Sequence, residues 1–388
     1  MINYTTLGSL ITPAKVIRCG NGSFPVLSMT MHNGIVMQSE RFKKKLASTD
    51  QSDYKVVKRG QLVVGFPIDE GVLYVQKAAD EGIMSPAYNV WEIDSKVIDP
   101  DFLELCLHSP QSMQYYKNKL RGTTARRRSI PVSDLQALKI RLPDMQTQHE
   151  IVAIIKKAEA IIADRQEQLN YFEQLVKSRF VELFGQPDRN PFGWDVYAIG
   201  TLVSSCDAGW SGNGTQRKKK AGEVAVLKVS AVTKGYFVPS ESKVLDNQDY
   251  IKKYVFPQAG DLLFSRANTR EMVGATAVIT RDYPEHILPD KLWKIRFVDA
   301  ANVWYMKYVL SYESIRSIFS SVSTGTSGSM FNVSMKKFKS IKIPLPPIEL
   351  QEQFAAFVEQ VDKSKLAVQK SLDELETLKK SLMQQYFG

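Results

Sequence analysis

The stretch LKIRLPDMQTQHEIV at residues 138–152 returns 203 positions later as IKIPLPPIELQEQFA at residues 341–355. The match runs without a gap to positions 185 and 388, and 14 of the 48 aligned residues are identical. A repeat of about 200 residues is far longer than the roughly 20 to 50 residues of a solenoid repeat. The duplication therefore predicts two similar halves.

Both copies become helical after their prolines, with apolar residues that recur every seven positions. These residues are Ile155, Ile162, Leu169, Val176 and Leu183 in the first copy and Val361, Val368, Leu375 and Leu382 in the second. Each pattern predicts a helix of about 37 residues, roughly 55 Å long. Because the apolar stripe of such a helix needs cover, we expect the copies to pair as an antiparallel coiled coil. Packing of each helix on its own domain and a coiled coil between two molecules are alternatives.

Short β-branched runs bounded by glycine, proline, asparagine and aspartate precede each long helix and predict strands. Residues 101–119 and 303–320 predict helices that pack on those strands. Weaker matches extend the repeat upstream, among them Trp91 with Trp293. The expected fold class is therefore α+β, with two pseudo-symmetric mixed α/β domains joined by two long helices. The expected segments are a domain at 1–137, a helical region at 138–185, a domain at 186–340 and a helical region at 341–388.

The composition favours a folded protein with an anionic partner. The net charge is +10 and the pI is about 9.2. Three separated cysteines, Cys19, Cys106 and Cys206, form no CxxC pair and indicate a reducing compartment. No apolar run approaches the length of about 18 residues typical of a membrane span, and the N-terminal segment lacks a signal-peptide pattern. We therefore expect a cytoplasmic protein with no membrane partner.

The motifs of nucleotide-dependent and methyl-transfer chemistry are missing from the sequence. No GxxxxGK[ST] phosphate loop occurs, and the Pro346-Pro347 pair follows Leu345 where an [ND]PP[YF] methylation motif needs aspartate or asparagine. The four histidines are scattered and form no metal-binding spacing. The sequence thus predicts a binding protein with no catalytic residues and no metal site.

Several repeated features together carry a family resemblance. They are the strand and proline segments at 140–143 and 343–347, Gln148 and Gln351 at the start of each long helix, the Phe-Gly pairs at 184–185 and 387–388, the turn at 260–266 and the segment at 190–194. With these features the whole chain resembles the specificity subunit of type I restriction-modification systems. The resemblance implies that residues 1–137 and 186–340 are target-recognition domains, each reading half of a bipartite site in double-stranded DNA.

The same resemblance implies the partners. Two modification (methyltransferase) subunits would bind the helical regions and carry S-adenosylmethionine, and restriction (translocase and endonuclease) subunits would use ATP and Mg²⁺. No cofactor is then expected on this chain. One departure lies in the first domain, where Gln61 follows Gly60 although the family usually has an acidic residue there, as Asp261 is in the second domain.

Basic residues in loops that differ between the two halves are the candidate DNA contacts. Arginine and lysine bind phosphates, and arginine and asparagine can also read base edges. The candidates for backbone contact are Lys43, Lys44, Lys45, Arg126, Arg127, Arg128, Arg217, Lys218, Lys219 and Lys220, and those for base reading are Arg266, Asn268 and Arg270. The alternatives are a solvated charged surface for the basic runs and turn stabilisation for Arg266 and Asn268.

Apolar residues near the ends of the long helices are the candidate contacts for partner subunits. They are Phe180, Phe184, Met383, Tyr386 and Phe387. Packing at the ends of the coiled coil is the equal alternative.

Two other functions stay open from sequence alone. A DNA methyltransferase or nuclease that acts by itself would bind S-adenosylmethionine or cleave DNA with Mg²⁺, and we expect neither. A scaffold without sequence readout would bind DNA indifferently to sequence.

Overall fold

The computed structural model describes residues 3–31, 33–41, 50–120, 128–324 and 330–388. The chain forms two compact units, and the boundaries between them fall inside the two long helices. Unit 1 comprises residues 1–166 and 369–388, and unit 2 comprises residues 167–368. Each unit therefore contains the beginning of one long helix and the end of the other.

Unit 1 is a mixed unit of short strands and helices. Its strands are β1 Tyr4–Thr6, β2 Ile11–Pro13, β3 Leu27–Met29, β4 Ile35–Met37, β5 Lys55–Lys58, β6 Leu62–Val64, β7 Leu73–Val75, β8 Glu81–Met84, β9 Asn89–Ile93 and β10 Lys139–Arg141. Its helices are α1 Gln38–Arg41, α2 Pro100–Leu107, α3 Pro110–Lys119 and α4 Val132–Gln136, followed by the start of the long helix α5 Met145–Phe184, with 3-10 turns at Leu7–Ser9 and Ile68–Glu70.

Unit 2 has the same kind of architecture. Its strands are β11 Val196–Ala198, β12 Val203–Ala208, β13 Gly214–Thr215, β14 Ala225–Leu227, β15 Ser242–Leu245, β16 Leu262–Ser265, β17 Ala267–Asn268, β18 Thr276–Val278, β19 His286–Ile287, β20 Leu292–Phe297, β21 Phe331–Asn332 and β22 Lys342–Pro344. Its helices are α6 Ile199–Leu202, α7 Val303–Ser311, α8 Glu313–Val322, α9 Met335–Ser340 and the start of the long helix α10 Ile348–Phe387, with 3-10 turns at Val229–Ala231 and Gln248–Tyr250.

The central sheets of the two units have equivalent strand orders. Unit 1 has β2-β9-β6-β7, and unit 2 has β12-β20-β16-β18. A two-stranded antiparallel pair precedes each long helix, β1 with β10 and β11 with β22. The architecture confirms the mixed α+β class.

The predicted match of Trp91 with Trp293 is wrong in register. Trp91 lies opposite Leu62, whose equivalent in β16 is Leu262, whereas Trp293 lies opposite Phe264, two residues after Leu262 in β16.

The helices predicted before the long helices are each divided in two. Residues 101–119 contain α2 and α3, because Pro110 has no N–H for a continuous helix and the Ser109 hydroxyl caps α3 by accepting from the Ser112 N–H. Residues 303–320 contain α7 and α8, which separate at Tyr312, where the backbone is extended. Both pairs pack on the sheet of their unit, as the sequence predicts.

The two long helices are each 40 residues long, slightly longer than predicted. Within unit 2, Arg179 of α5 lies 6.0 Å from the ring of Phe357, and Phe184 lies 5.4 Å from the ring of Phe354. The residue numbers of the contacts fall along α10 as they rise along α5, so the two helices run antiparallel in unit 2. Within unit 1, the Lys379 ammonium lies 2.8 Å from the Glu159 carboxylate and joins the other ends of the same helices.

Gln148 and Gln351, which the repeat places at the start of the long helices, are fully buried and bind equivalent atoms. The Gln148 side chain accepts from the Asp99 N–H at 2.8 Å and donates to the carbonyls of Val97 and Pro143 at 3.2 and 2.9 Å. The Gln351 side chain accepts from the Asn302 N–H at 2.8 Å and donates to the carbonyls of Ala300 and Pro346 at 3.1 and 2.7 Å. Every partner is shifted by 203 residues, so the duplication extends to single hydrogen bonds.

The contacts of Gln61 and Asp261, which follow Gly60 and Gly260, explain why the first domain has no acidic residue at this turn. Gln61 and Asp261 both accept from a backbone N–H three residues earlier, and each lies opposite a charged residue of the neighbouring strand. Gln61 donates to Glu92 at 2.5 Å, whereas the buried Asp261 carboxylate accepts from Arg296 at 2.7 Å and lies 3.1 Å from the Lys294 ammonium. The acidic residue is therefore in the turn in unit 2, as Asp261, and on the adjacent strand in unit 1, as Glu92.

Candidate nucleic-acid interface

The segment after β16, which includes the short strand β17, carries the three residues predicted to read bases. The Asn268 amide donates to the Ser265 hydroxyl at 3.3 Å and accepts from the Thr269 N–H at 2.9 Å. Asn268 therefore stabilises the turn, which is the alternative that the sequence left open. Arg270 is exposed and lies 4.4 Å from the ring of Phe331, so its guanidinium keeps free edges on the surface.

Arg266 is half-buried, as is Asn268. Its guanidinium lies 5.9 Å from the ring of Trp293. Its Nε atom is buried and has no hydrogen-bond partner among the residues that the structure describes. A buried donor without a partner is costly, so this position is a candidate for hydrogen bonding to a bound molecule.

The basic run of unit 2 divides into one structural residue and three exposed ones. Arg217 donates to both carboxylate oxygens of Glu223 at 2.7 Å, and the Lys220 N–H donates to the same carboxylate. The hydrogen bonds from Arg217 and then from the Lys220 backbone lower the pKa of Glu223 to about 2. Arg217 therefore holds the loop closed, while the ammonium groups of Lys218, Lys219 and Lys220 are presented to solvent.

In unit 1 most of the predicted DNA contacts lie outside the described residues, namely Lys43, Lys44, Lys45, Arg126 and Arg127. Arg128 is described, and it lies 3.2 Å from the Asp69 carboxylate and 2.5 Å from the Glu70 carboxylate. Two carboxylates neutralise this guanidinium, so Arg128 stabilises its own loop.

The aromatic residues predicted to contact partner subunits lie in the cores of their units. Phe180 and Phe184 are each 2% exposed and pack on Tyr305 and Phe354 in unit 2. Phe387 is 4% exposed and packs on Phe102 in unit 1. These three positions correct the expectation, because a ring buried within its own unit is not presented to a partner.

Met383 and Tyr386 are half-buried and pack against the same core of unit 1. Their side chains are less exposed than those of two other residues of the long helices. Leu175 is 48% exposed and Leu378 is 50% exposed, and the two positions are again 203 residues apart. Sequence reasoning missed them because their place on an apolar helix gave no sign of their exposure.

Sequence reasoning also missed two residues beside the basic run. Arg281 and His286 line the same groove of unit 2 as Lys218 and Lys219, although some 60 residues separate them in the chain. Arg281 is exposed, and the His286 side chain is 12% exposed. No spacing pattern predicts this meeting, because it depends on the pairing of β14 with β19.

Two searches of the described residues gave no positive result. No group of three or more histidine, cysteine, aspartate or glutamate side chains there could hold a metal ion. Among the same residues no helix is both long and apolar enough to cross a membrane.

Residues 191–377 match the family model described as the type I restriction modification DNA specificity domain. The chain is 24% identical over 176 residues to the EcoEI specificity subunit of Escherichia coli and 28% identical over 169 residues to the EcoKI specificity subunit of Escherichia coli K12. These alignments cover 45% and 42% of this chain and 30% and 36% of the relatives. The chain thus spans about a third of the length of the curated relatives it matches.

Two solved structures have a similar fold. One, from work on complex assembly and conformational transition of a type I restriction-modification system, has a TM-score of 0.57 at 18% identity and covers 99% of this chain and 97% of its own. The other, the specificity subunit of such a system from M. genitalium, has a TM-score of 0.57 at 15% identity and covers 100% and 96%. At these identities the likeness shows the fold alone.

Proposed function

We propose that this chain, which belongs to the family of type I restriction-modification specificity subunits, reads a bipartite site in double-stranded DNA and performs no catalysis itself. The observation that carries the proposal is the match of residues 191–377 to the DNA specificity domain of that family. The second half-site reader is inferred from unit 1, whose sheet order and buried glutamine bonds repeat those of unit 2.

In this proposal residues 1–137 and 186–340 each read one half-site. Residues 138–185 and 341–388 form an antiparallel coiled coil that sets the number of unread bases between the half-sites. The antiparallel contacts inside unit 2 support this arrangement. Duplex DNA advances about 34 to 36 Å per turn, so helices of this length suit two short sequences separated by untouched bases.

The exposed cations are the proposed DNA contacts. Lys218, Lys219, Lys220 and Arg270 are open to solvent in unit 2, and the buried Nε of Arg266 has no hydrogen-bond partner among the described residues of that unit. Lys43, Lys44, Lys45, Arg126 and Arg127 remain predictions for the first half-site. The lysines would position the duplex through phosphates, and the arginines would add base discrimination.

The experiment that tests the function is methylation mapping in cells that carry the chain with its modification subunits. We expect one bipartite methylated motif. Exchange of residues 186–340 for the second domain of another family member should change one half of the motif and leave the other half unaltered. Absence of any motif would contradict sequence readout, and methyl transfer by the purified chain alone would point to an enzyme.

We further propose that two modification subunits bind the helical regions, with S-adenosylmethionine, ATP and Mg²⁺ held by the partner subunits. The matched exposure of Leu175 and Leu378 supports two equivalent contacts, because large exposed apolar side chains mark interaction surfaces. Leu175 belongs to unit 2 and Leu378 to unit 1, so either contact can be removed without the other.

Replacing Leu175 or Leu378 with Asp should remove one modification subunit from the complex, since a carboxylate at a desolvated contact is unpaired. The double variant should bind neither subunit. Light scattering of the purified complex measures the stoichiometry. Leu366→Asp is the matched control, because Leu366 is 73% exposed but its counterpart in the other repeat is Ala163. Full assembly by the double variant would refute these contacts.

A further inference from the structure

One face of the second small sheet of unit 2 forms an open groove. The sheet has the order β13-β15-β14-β19, and the chain before β14 and after β18 closes the sides. The lining residues used below are Lys218, Lys219, Ser242, Arg281, Tyr283 and His286. The groove lies wholly within unit 2.

The charge of this groove is positive and largely uncompensated. Lys218, Lys219 and Arg281 form no ion pair among the residues that the structure describes, and Glu223 is already occupied by Arg217. Glu285 is the carboxylate of the lining. Three free cations against one acid favour an anionic ligand.

Arg281 makes a cation–π contact with Tyr283. Its guanidinium lies 4.3 Å from the centre of the Tyr283 ring, and Tyr283 packs edge-on against Phe237 at 4.8 Å. This contact restricts the guanidinium to the neighbourhood of the ring and leaves N–H groups available for a ligand. The planar fork of guanidinium donors matches two oxygens of a phosphate.

His286 gives the groove an unsatisfied polar atom. Its Nδ1 is buried and has no hydrogen-bond partner among the described residues, although the Glu285 carboxylate lies 3.5 Å away. Burial lowers the pKa of His286. The Glu285 carboxylate and a hydrogen bond with the Pro239 backbone oppose this shift, whereas the charges of Lys219 and Arg281 add to it. The imidazole is therefore neutral near pH 7 in the free protein, and an anion placed beside it would favour its protonated form.

We propose that the groove binds a backbone phosphodiester of the DNA, held by Lys219, Arg281 and His286. This inference rests on the proposed function and adds two residues from outside the basic run to the DNA-binding surface. The hydroxyl of Ser242 lies in the same lining and supplies a further neutral donor. A phosphate site would position the second half-site and would carry no sequence information itself.

The test measures how salt changes the affinity of the full chain, with its modification subunits, for a labelled duplex that carries the mapped motif. Lys219→Ala and Arg281→Ala should each lower the slope of log affinity against log salt by about 0.9 and weaken binding about fivefold at 0.15 M salt. Both losses should be equal on specific and unrelated duplexes. Lys363→Ala, an exposed lysine of α10 in the same unit, is the charge-matched control.

A pH series isolates the histidine. Affinity should rise as the pH falls from about 7.5 to 6, because the bound phosphate favours protonation of His286. His286→Gln should flatten this rise relative to the parent chain, with Glu285, Lys218, Lys219, Arg217 and Arg281 unchanged around it.

Three outcomes separate the alternatives. Unaltered salt slopes for Lys219→Ala and Arg281→Ala, in a complex that still selects its motif, would refute phosphate binding in the groove and leave the proposed function intact. Loss of motif selection by the parent complex would refute the proposed function instead. Protection of Arg281 from arginine-modifying reagents by inorganic phosphate but not by duplex would assign the site to a free anion.

Discussion

Replacement of Asp261 by Asn is expected to lower the free energy of unfolding of unit 2 by about 3 kcal/mol, because it leaves the largely buried Lys294 ammonium without its counter-charge. The Asp261 side chain is 0% exposed and that of Lys294 is 12% exposed, whereas Arg296 is 46% exposed and can turn to solvent. The asparagine can still accept from the Gln258 N–H, so the loss reports the charge. Denaturant unfolding followed by tryptophan fluorescence measures it, since four of the five tryptophans, at 194, 210, 293 and 304, lie in unit 2.

A charge exchange provides the control for this prediction. Asp261→Gln combined with Arg296→Glu reproduces in unit 2 the arrangement of Gln61 and Glu92 in unit 1. The double variant should lose about 1 kcal/mol less than the summed losses of Asp261→Gln and Arg296→Glu measured alone. Additive losses would mean that the turn and the strand do not interact through this pair.

Gln148→Leu and Gln351→Leu should each destabilise their own unit by about 3 kcal/mol, and by similar amounts. Each change removes three hydrogen bonds, which contribute roughly 1 kcal/mol each. Hydrogen exchange read by mass spectrometry follows the two units separately. Amides at the start of α5 should lose protection in one variant and those at the start of α10 in the other.

Gln353→Leu is the matched control for the second variant, because Gln353 is exposed two residues further along the same helix. This change should leave the exchange of unit 2 unaltered. Equal losses of protection in Gln353→Leu and Gln351→Leu would show that apolar substitution at the helix start matters and that the buried bonds do not.

The long helices and the mixed class of the domains could be predicted because they depend on local pattern. A seven-residue spacing defines a helix without knowledge of its neighbours, and the repeat located Gln148 and Gln351 before their partners were known. The exposed side of those helices could not be predicted. Phe180 and Leu175 look alike in sequence, yet the first is buried and the second is open, since only the packed domain decides which side of a helix it covers.

The candidate site was predicted only in its linear part. The run 217–220 is visible as a cluster of charges, but its division into a loop-closing Arg217 and exposed lysines depends on Glu223. Arg281 and His286 join the lysines through strand pairing between distant segments, and Asp261 meets Arg296 through a cross-strand register. Such contacts follow from tertiary structure, which spacing along the chain does not encode.

The atoms bound by Gln148 and Gln351 have a consequence for how such a chain can change. Both amides bind main-chain atoms of the segments that precede the helix. Every amino acid has a backbone carbonyl, and every amino acid other than proline has a backbone N–H. These hydrogen bonds are therefore indifferent to side-chain identity at Val97 and Ala300. Substitutions at those two positions would keep the bonds to the long helix, whereas substitutions at Tyr305 would disturb the apolar contact of the domain with Phe180.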